Sequence, residues 1–445
     1  MKVYLLNPPF VPNFVRCGRW QGVTARGGGL DYPKWLAYAT GVLEQHFFEC
    51  RLVDAPAFGW SRKDTIEDIV NFRPDVLVVE TNFSSVSNDI KVCSEVKMNM
   101  PKLIIVLVGP PVAVFGERLL KENIDIIAKY EYEYTLLDIC KSIVNGDTLD
   151  SVLGISYKNN NGKIITNSDR LFCSSLDLDS MPFVSSIYKK HLDIKKYSLS
   201  QSLYPEVQIF TGRGCPFLCS FCSWPENMMG RKNRTRSIDN IISELDYIKN
   251  KLPEVKEVFF EDDTFTINEN RVNEFCDKIF SKGMKITWSC NTRATLSYKT
   301  LRLMKRAGCR LLIVGYESGD DNILKQIKKG INTEQMKSFT KDAKEAGLII
   351  HGDFIIGLPQ ETKESVKKTY DFIKQVRPHV LQVAVATPIP GTSFYNWAKE
   401  QGYLLTENLE NSIDGSGYQK CIVSYPAFSS KNIEQAVDNY NGPRK

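Results

Sequence analysis

No run of about 18 apolar residues occurs in this chain, so no segment reads as a bilayer-spanning helix. The opening MKVYLLNPPF offers one lysine and the short run Val3–Leu6 before Asn7-Pro8-Pro9, too little for the apolar core of a secretory leader. Charge of neither sign is in excess. Lys and Arg number 57 against 52 Asp and Glu, and a net +5 spread over 445 residues argues for neither nucleic acid nor an acidic membrane. The fingerprint G-x-G-x-x-G is missing after the first apolar run, which makes a dinucleotide ligand unexpected. A disulfide framework is missing as well. Of twelve cysteines, nine are scattered singly (Cys17, Cys50, Cys93, Cys140, Cys173, Cys276, Cys290, Cys309, Cys421), a usage that suits a reducing compartment and predicts a cytoplasmic, soluble protein.

What is present is ordinary in bulk, 42% hydrophobic and 24% charged, and long enough for two domains and a small third. Residues 1–145 alternate apolar runs (Val3–Leu6, Arg51–Val53, Val76–Val79, Leu103–Val108, Ile124–Ala128) with segments of helical period such as Pro33–Phe47 and Tyr134–Val144. This alternation predicts an α/β doubly wound, Rossmann-like domain whose ligand lies at the carboxyl ends of its strands, at Asn7–Phe10, Thr81–Ser87 and Gly109–Val112. The Gly27-Gly28-Gly29 run is expected to be a loop and is weak as a phosphate signal. Residues 146–204 read as a connector containing a hairpin, Ser151–Tyr157 and Lys163–Thr166 around Asn159-Asn160-Asn161-Gly162.

Alternation resumes over residues 205–400 in longer units, with strands expected at Val207–Phe210, Val255–Phe260, Lys285–Cys290, Arg310–Gly315, Ile349–Ile356 and Val380–Ala386. Six strand–helix units predict a partial TIM-type barrel, (β/α)6, two units short of closure. Residues 401–445 form a C-terminal extension able to cap the open side. Chemistry in such barrels gathers at the carboxyl ends of the strands, and the sequence is suggestive there. Three thiols follow the first strand, Glu261-Asp262-Asp263 the second, Asn291 with Arg293 the third, Glu317-Ser318 the fourth and Gly357-Leu358-Pro359 the fifth. A charged turn taken singly is more often solvated than functional. The basic run Arg231–Arg236 reads as a solvated loop or a phosphate contact rather than an RNA surface.

The thiols are the sharpest signal. Thr211–Pro225, TGRGCPFLCSFCSWP, spaces Cys215, Cys219 and Cys222 as C-x3-C-x2-C, with no fourth Cys or His nearby. Soft thiolates in one loop suit an iron–sulfur cluster with one open iron, or a zinc ion completed by a distant ligand. The alternative is three incidental thiols in a non-catalytic scaffold.

This loop, with aromatic Phe221 before the third cysteine, resembles the signature of the radical S-adenosylmethionine (SAM) superfamily. A doubly wound domain ahead of such a barrel resembles the cobalamin-binding class of that superfamily. The resemblance implies a [4Fe-4S] cluster on Cys215, Cys219 and Cys222. Once reduced, by a donor such as flavodoxin or ferredoxin, that cluster cleaves SAM to methionine and a 5′-deoxyadenosyl radical. It further implies that Glu261, Asp262 or Asp263 receives the ammonium of SAM and that Arg293, beside Asn291, pairs with its carboxylate. Glu317 and Ser318 would line the ribose side, with Ile355, Gly357, Leu358 and Phe221 near adenine. Cobalamin would rest on Asn7, Pro8, Pro9, Ser84, Gly109 and Pro110. D-x-H-x-x-G is absent, so no histidine is available to ligate cobalt, and His46 lies inside a helical pattern. The motifs RGCPFLCSFCSWP, FFEDDTFT, ITWSCNTRA, LLIVGYESG, IIHGDFIIGLPQET and TPIPGTSFY, with the connector LDLDSMPFVSSIYKK, look most similar to the cyclitol-forming hopanoid-biosynthesis radical SAM enzymes. That likeness implies carbon-bond formation on a sugar, polyol or lipid-linked small molecule, with peripheral membrane association left open. Methylation through cobalamin is the alternative. No nucleic-acid partner is expected, and the oligomeric state is open.

Overall fold

A computed structural model describes residues 1–16, 23–24, 29–121, 123–159 and 161–441, so Cys17, Gly27, Gly28 and Asn160 lie outside the described residues. The chain forms two compact units. The first comprises Met1–Ser200 with Trp224–Gly230 and Gly415–Tyr418, and the second Gln201–Ser223, Arg231–Asp414 and Gln419–Lys445.

In the first unit five parallel strands, β1 (Lys2–Asn7), β2 (Glu49–Asp54), β3 (Val76–Glu80), β4 (Ile104–Val108) and β5 (Ile126–Ala128), lie in the order 2-1-3-4-5. Helices α1 (Lys34–Gln45), α2 (Arg62–Phe72), α3 (Val86–Asn99) and α4 (Glu133–Asn145) connect them. Continuous apolar runs such as Val76–Val79 are what a strand covered on both faces requires. Leu6 of β1 pairs with Val53 and with Val79, and all three join one core with Ile69, Val92, Val96 and Leu107. The strand order reverses between β1 and β3, which opens a crevice at their carboxyl ends.

The hairpin assigned by sequence to a connector belongs to this sheet. Strands β6 (Ile155–Lys158) and β7 (Ile164–Thr166) add antiparallel to the edge of β5, with Ile126 opposite Tyr157. The reason is that β5 would otherwise present unpaired backbone groups. The turn is held by the Asn159 side chain, which accepts from the Lys163 N–H at 2.9 Å.

The second unit carries six parallel strands in sequential order: β8 (Glu206–Ile209), β9 (Glu257–Phe260), β10 (Trp288–Thr292), β11 (Cys309–Glu317), β12 (Ile349–Ile356) and β13 (Val380–Val385). This is the expected partial barrel, and β10 starts later than the apolar pattern suggested. Five outer helices follow, α5 (Ile238–Lys251), α6 (Glu269–Ser281), α7 (Tyr298–Arg306), α8 (Thr333–Glu345) and α9 (Lys363–Val376). Each begins on a side-chain oxygen (Ser237, Asn268, Ser297, Asn332, Thr362) that accepts from the backbone N–H three residues on. Phe260, Phe265, Phe275 and Trp288 pack together between strands and helices.

The C-terminal extension covers the β13 side. The Gln419 amide bonds the edge of β13 like a strand, accepting from the Val385 N–H at 3.0 Å and donating to its carbonyl at 2.6 Å. Helix α10 (Ser430–Asn441) packs on β13, Tyr370 donates to its Ala436 carbonyl, and Tyr425 donates to the Gly357 carbonyl.

Candidate active site

The cysteine loop leaves the carboxyl end of β8 and is tied down along its length. The Thr211 N–H and hydroxyl both donate to the Asp262 carboxylate, at 2.6 and 2.5 Å. Gly212-Arg213 then pairs antiparallel with Arg234-Thr235. Asn233 donates to the Gly214 carbonyl at 3.2 Å, and the Arg231 guanidinium to that of Phe217. The basic run is therefore mostly packed into the fold rather than solvated, with Lys232 exposed. Arg234 and Arg236 are buried, and Arg236 donates to the Phe210 carbonyl and pairs with buried Glu244. Arg231, Arg234 and Arg236 each donate to a loop carbonyl.

Further along, the Ser220 N–H donates to the Ile327 carbonyl at 2.9 Å and the Ser220 carbonyl accepts from the Phe394 N–H at 2.9 Å. Cys219 is buried, Cys215 and Cys222 are half-buried beside half-buried Phe221, and none of the three thiols is in a disulfide. Among the described residues no three His, Cys, Asp or Glu side chains converge on one metal ion. A cubane asks for less, one thiolate per iron corner, and the donor set fits it.

The acidic triplet is buried, not solvated. The Asp262 carboxylate accepts from Thr211, its carbonyl accepts from Asn291, and burial pushes its carboxyl above the usual range. Arg293 is buried at the neighbouring strand end. Its guanidinium lies 3.7 Å from the Phe217 ring centroid, with Nη1 3.9 Å from Cys219 Sγ, and Nη2 donates to the Lys329 carbonyl. Its Nε is buried without a partner.

Glu317 ends β11 in the left-handed region (φ 65°), a strain that non-glycine residues bear where the site demands it. Its Oε1 accepts from Lys329 Nζ at 2.7 Å, while Oε2 is buried with no partner. One unmet acceptor and one unmet donor on neighbouring strand ends fit the ammonium and carboxylate of an amino acid such as the methionine part of SAM. Ser318 departs from the expectation. It is fully buried and bonded to Thr369 and the Asp320 N–H, because it caps the turn after β11. Ile355 and Leu358 are buried, and Gly357 (φ 97°) donates its N–H to the buried Glu361 carboxyl.

In the first unit the expected ligand loops meet at the switch between β1 and β3. Asn7 donates to Asp54 at 2.7 Å and leaves its Oδ1 buried without a partner. The Pro8 and Pro9 carbonyls accept from Arg16 and Asn88, and the Ser84 N–H donates to Asn82. Gly109 (φ 111°) has no room for a side chain, since a Cβ would stand 2.4 Å from the Thr81 carbonyl oxygen, and Pro110 opens the helix that follows. A side-chain-free edge and an unmet acceptor fit the carboxamides that rim a corrin. His46 Nδ1 bonds the Val42 carbonyl, and His191 Nε2 meets Glu44.

Sequence reasoning missed Thr211, Lys329, Glu361, and the pair His351 and Asp353. Polar residues alternating through the apolar β12 (IIHGDFII) were the available signal for that pair. Trp288, Tyr316 and Tyr395 are held within the fold, donating to Ala307, bonded to Thr340 and donating to Glu407. Trp224 packs edge-on against Trp35 in the first unit.

Residues 209–373 match the Radical SAM superfamily and residues 21–139 the B12 binding domain. An uncharacterised methyltransferase of Pyrococcus horikoshii is 32% identical over 92% of this chain and 85% of its own length. An anaerobic magnesium-protoporphyrin IX monomethyl ester cyclase of Rubrivivax gelatinosus is 26% identical over 82% of this chain, which spans 65% of that protein. The fold superposes on the radical SAM methyltransferase TsrM of Kitasatospora setae, solved with cobalamin and a [4Fe-4S] cluster. The TM-score is 0.75 at 15% identity, over 98% of this chain and 88% of that one.

Proposed function

Since this chain belongs to the radical SAM superfamily and carries a B12-binding domain, we propose that it is a cobalamin-dependent radical SAM C-methyltransferase acting on a small molecule. The observation that carries the reading is the tethered loop of Cys215, Cys219 and Cys222 at the mouth of a partial barrel, in one chain with a 2-1-3-4-5 sheet. When bound, the cluster with SAM supplies one-electron C–S cleavage and the corrin supplies a transferable methyl group.

The protein's own part is positional. Asp262, Arg231 and Asn233 hold the loop that carries the three thiolates. Glu317 and Arg293 would orient the amino-acid end of SAM through their unpartnered atoms. Asn7, Gly109 and Pro110 would seat the corrin on the first sheet. The buried barrel wall keeps water from a reactive radical.

The methyltransferase reading gains from the names of the Pyrococcus relative and of TsrM. Ring closure on a hopanoid polyol gains nothing from them, and a cyclase reading rests on the Rubrivivax relative. Anaerobic reconstitution with iron, sulfide, cobalamin and SAM tests the choice. Methylation yields S-adenosylhomocysteine together with 5′-deoxyadenosine in a substrate-dependent way, whereas 5′-deoxyadenosine alone would overturn it in favour of cyclisation.

A further inference from the structure

Strand alternation puts two polar side chains into the barrel interior that no role above uses. On β12, Phe354 stacks on Tyr316, and a Cβ on Gly352 would meet the Tyr316 ring and Pro378, so this face turns toward the helices. His351 and Asp353 therefore face the lumen. Parallel register sets His351 in a row with Asn291, Ile313 and Val380, and Asp353 in the next row with Gly315 and Gln382.

Both side chains are more than nine-tenths buried, His351 at 3% and Asp353 at 7% exposure. His351 Nε2 lies 3.2 Å from Asp353 Oδ1, yet the approach is not aligned as a hydrogen bond. Both ring nitrogens and Asp353 Oδ1 are without partners, as is the Oγ of Ser289, fully buried and facing the lumen from β10. Native proteins seldom leave buried polar atoms unmet unless another group meets them. The row-mates show that the space can be reached, because Ile313 and Gly315 are half-buried and Gln382 is exposed.

We propose that His351 and Asp353 form the substrate-holding floor of the barrel, taking a hydroxyl or ammonium group on the molecule to be methylated. The proposal rests on the reading of this barrel as a radical SAM reaction chamber. A carboxylate accepts hydrogen bonds and repels anions, so the group placed against it is a donor and not a phosphonate, phosphate or carboxylate. The imidazole beside it accepts or donates to the same group, which suits a hydroxyl equally well. The pair binds and orients the substrate below the residues at the strand ends.

The test uses the full chain, reconstituted with iron, sulfide, cobalamin and SAM, as wild type, Asp353→Asn and His351→Gln. The probes are the anionic, neutral and cationic fractions of a small-molecule extract from the producing cells. The readout is 5′-deoxyadenosine above each protein's own extract-free level, with cluster absorbance recorded alongside. Wild type is expected to respond to the neutral or cationic fraction. Asp353→Asn and His351→Gln should lose about tenfold or more of that response, the scale of one lost hydrogen bond to a charged group. Their cluster absorbance should stay intact.

Stimulation by the anionic fraction alone, stimulation by none, or undiminished response in both variants overturns the proposal. So does a loss of response that accompanies loss of cluster absorbance, which would mark a purely structural pair. Wild type that cleaves no SAM with or without extract sinks the enzyme reading itself, and this proposal with it.

Discussion

Asp262, one of three neighbouring carboxylates expected near a ligand, accepts from the protein's own backbone and side chain. Its two oxygens meet the two donors of Thr211, the last residues before the cysteine loop begins its turn. Asp262→Ala would leave a buried N–H and hydroxyl unmet, costing about 1–3 kcal/mol locally. Iron and sulfide per chain after reconstitution should fall well below wild type, and unchanged cluster content would refute the strut role. Glu361 is another buried carboxyl that bonds the protein, accepting from the Gly357 N–H. Burial raises its pKa from 4.5 to about 8, against the lowering effect of the Gly357 and Leu358 N–H groups. The folded chain therefore keeps a proton here that the unfolded chain releases between about pH 4.5 and 8. This group's contribution is fully present below pH 4.5 and is lost as pH rises toward 8, with a slope of at most about 1.4 kcal/mol per pH unit. Urea midpoints at pH 6 and pH 8 should differ less in Glu361→Gln than in wild type.

Helices and strands show what local pattern can and cannot foresee. The five barrel helices start on Ser, Asn or Thr, a contact only three residues long. The hairpin at Asn159–Gly162 was readable, but its allegiance was not, since nothing in Ile155–Lys158 names β5 as partner. The basic run failed for a similar reason: Arg231 and Arg236 read as solvated until their carbonyl partners, 14 and 26 residues away, are in place. The turn after β4 admits a sharper test. Gly109→Ala would force a Cβ to 2.4 Å from the Thr81 carbonyl oxygen in a backbone conformation that side chains avoid. A loss of about 1–3 kcal/mol in the first unit is expected from that strain. Cobalamin retained through gel filtration should drop with it, and wild-type retention would show that the β4 turn is not part of the corrin seat.

Over the whole chain, the two units are each finished by sequence-distant pieces, and the barrel's edge strand β13 depends on the last residues. Gln419 substitutes for a neighbouring strand there, and α10 packs Ile433 against Gly357. Deleting Ser430–Lys445 should lower the thermal midpoint of the apo chain and increase aggregation, as an uncovered parallel edge invites. A midpoint and light-scattering profile equal to wild type would show the extension to be dispensable. By itself the sequence determined the two α/β units, the six-strand count and the cysteine triplet, because periodicity, caps and ligand spacing are properties of neighbouring residues. Only the tertiary structure decided which polar side chains remain available. Asp262, Ser318 and most of Arg293 are consumed by partners far along the chain, while Glu317, Asn7, His351 and Asp353 keep unmet atoms. A hydrogen bond is closed by three-dimensional proximity, which no local pattern encodes.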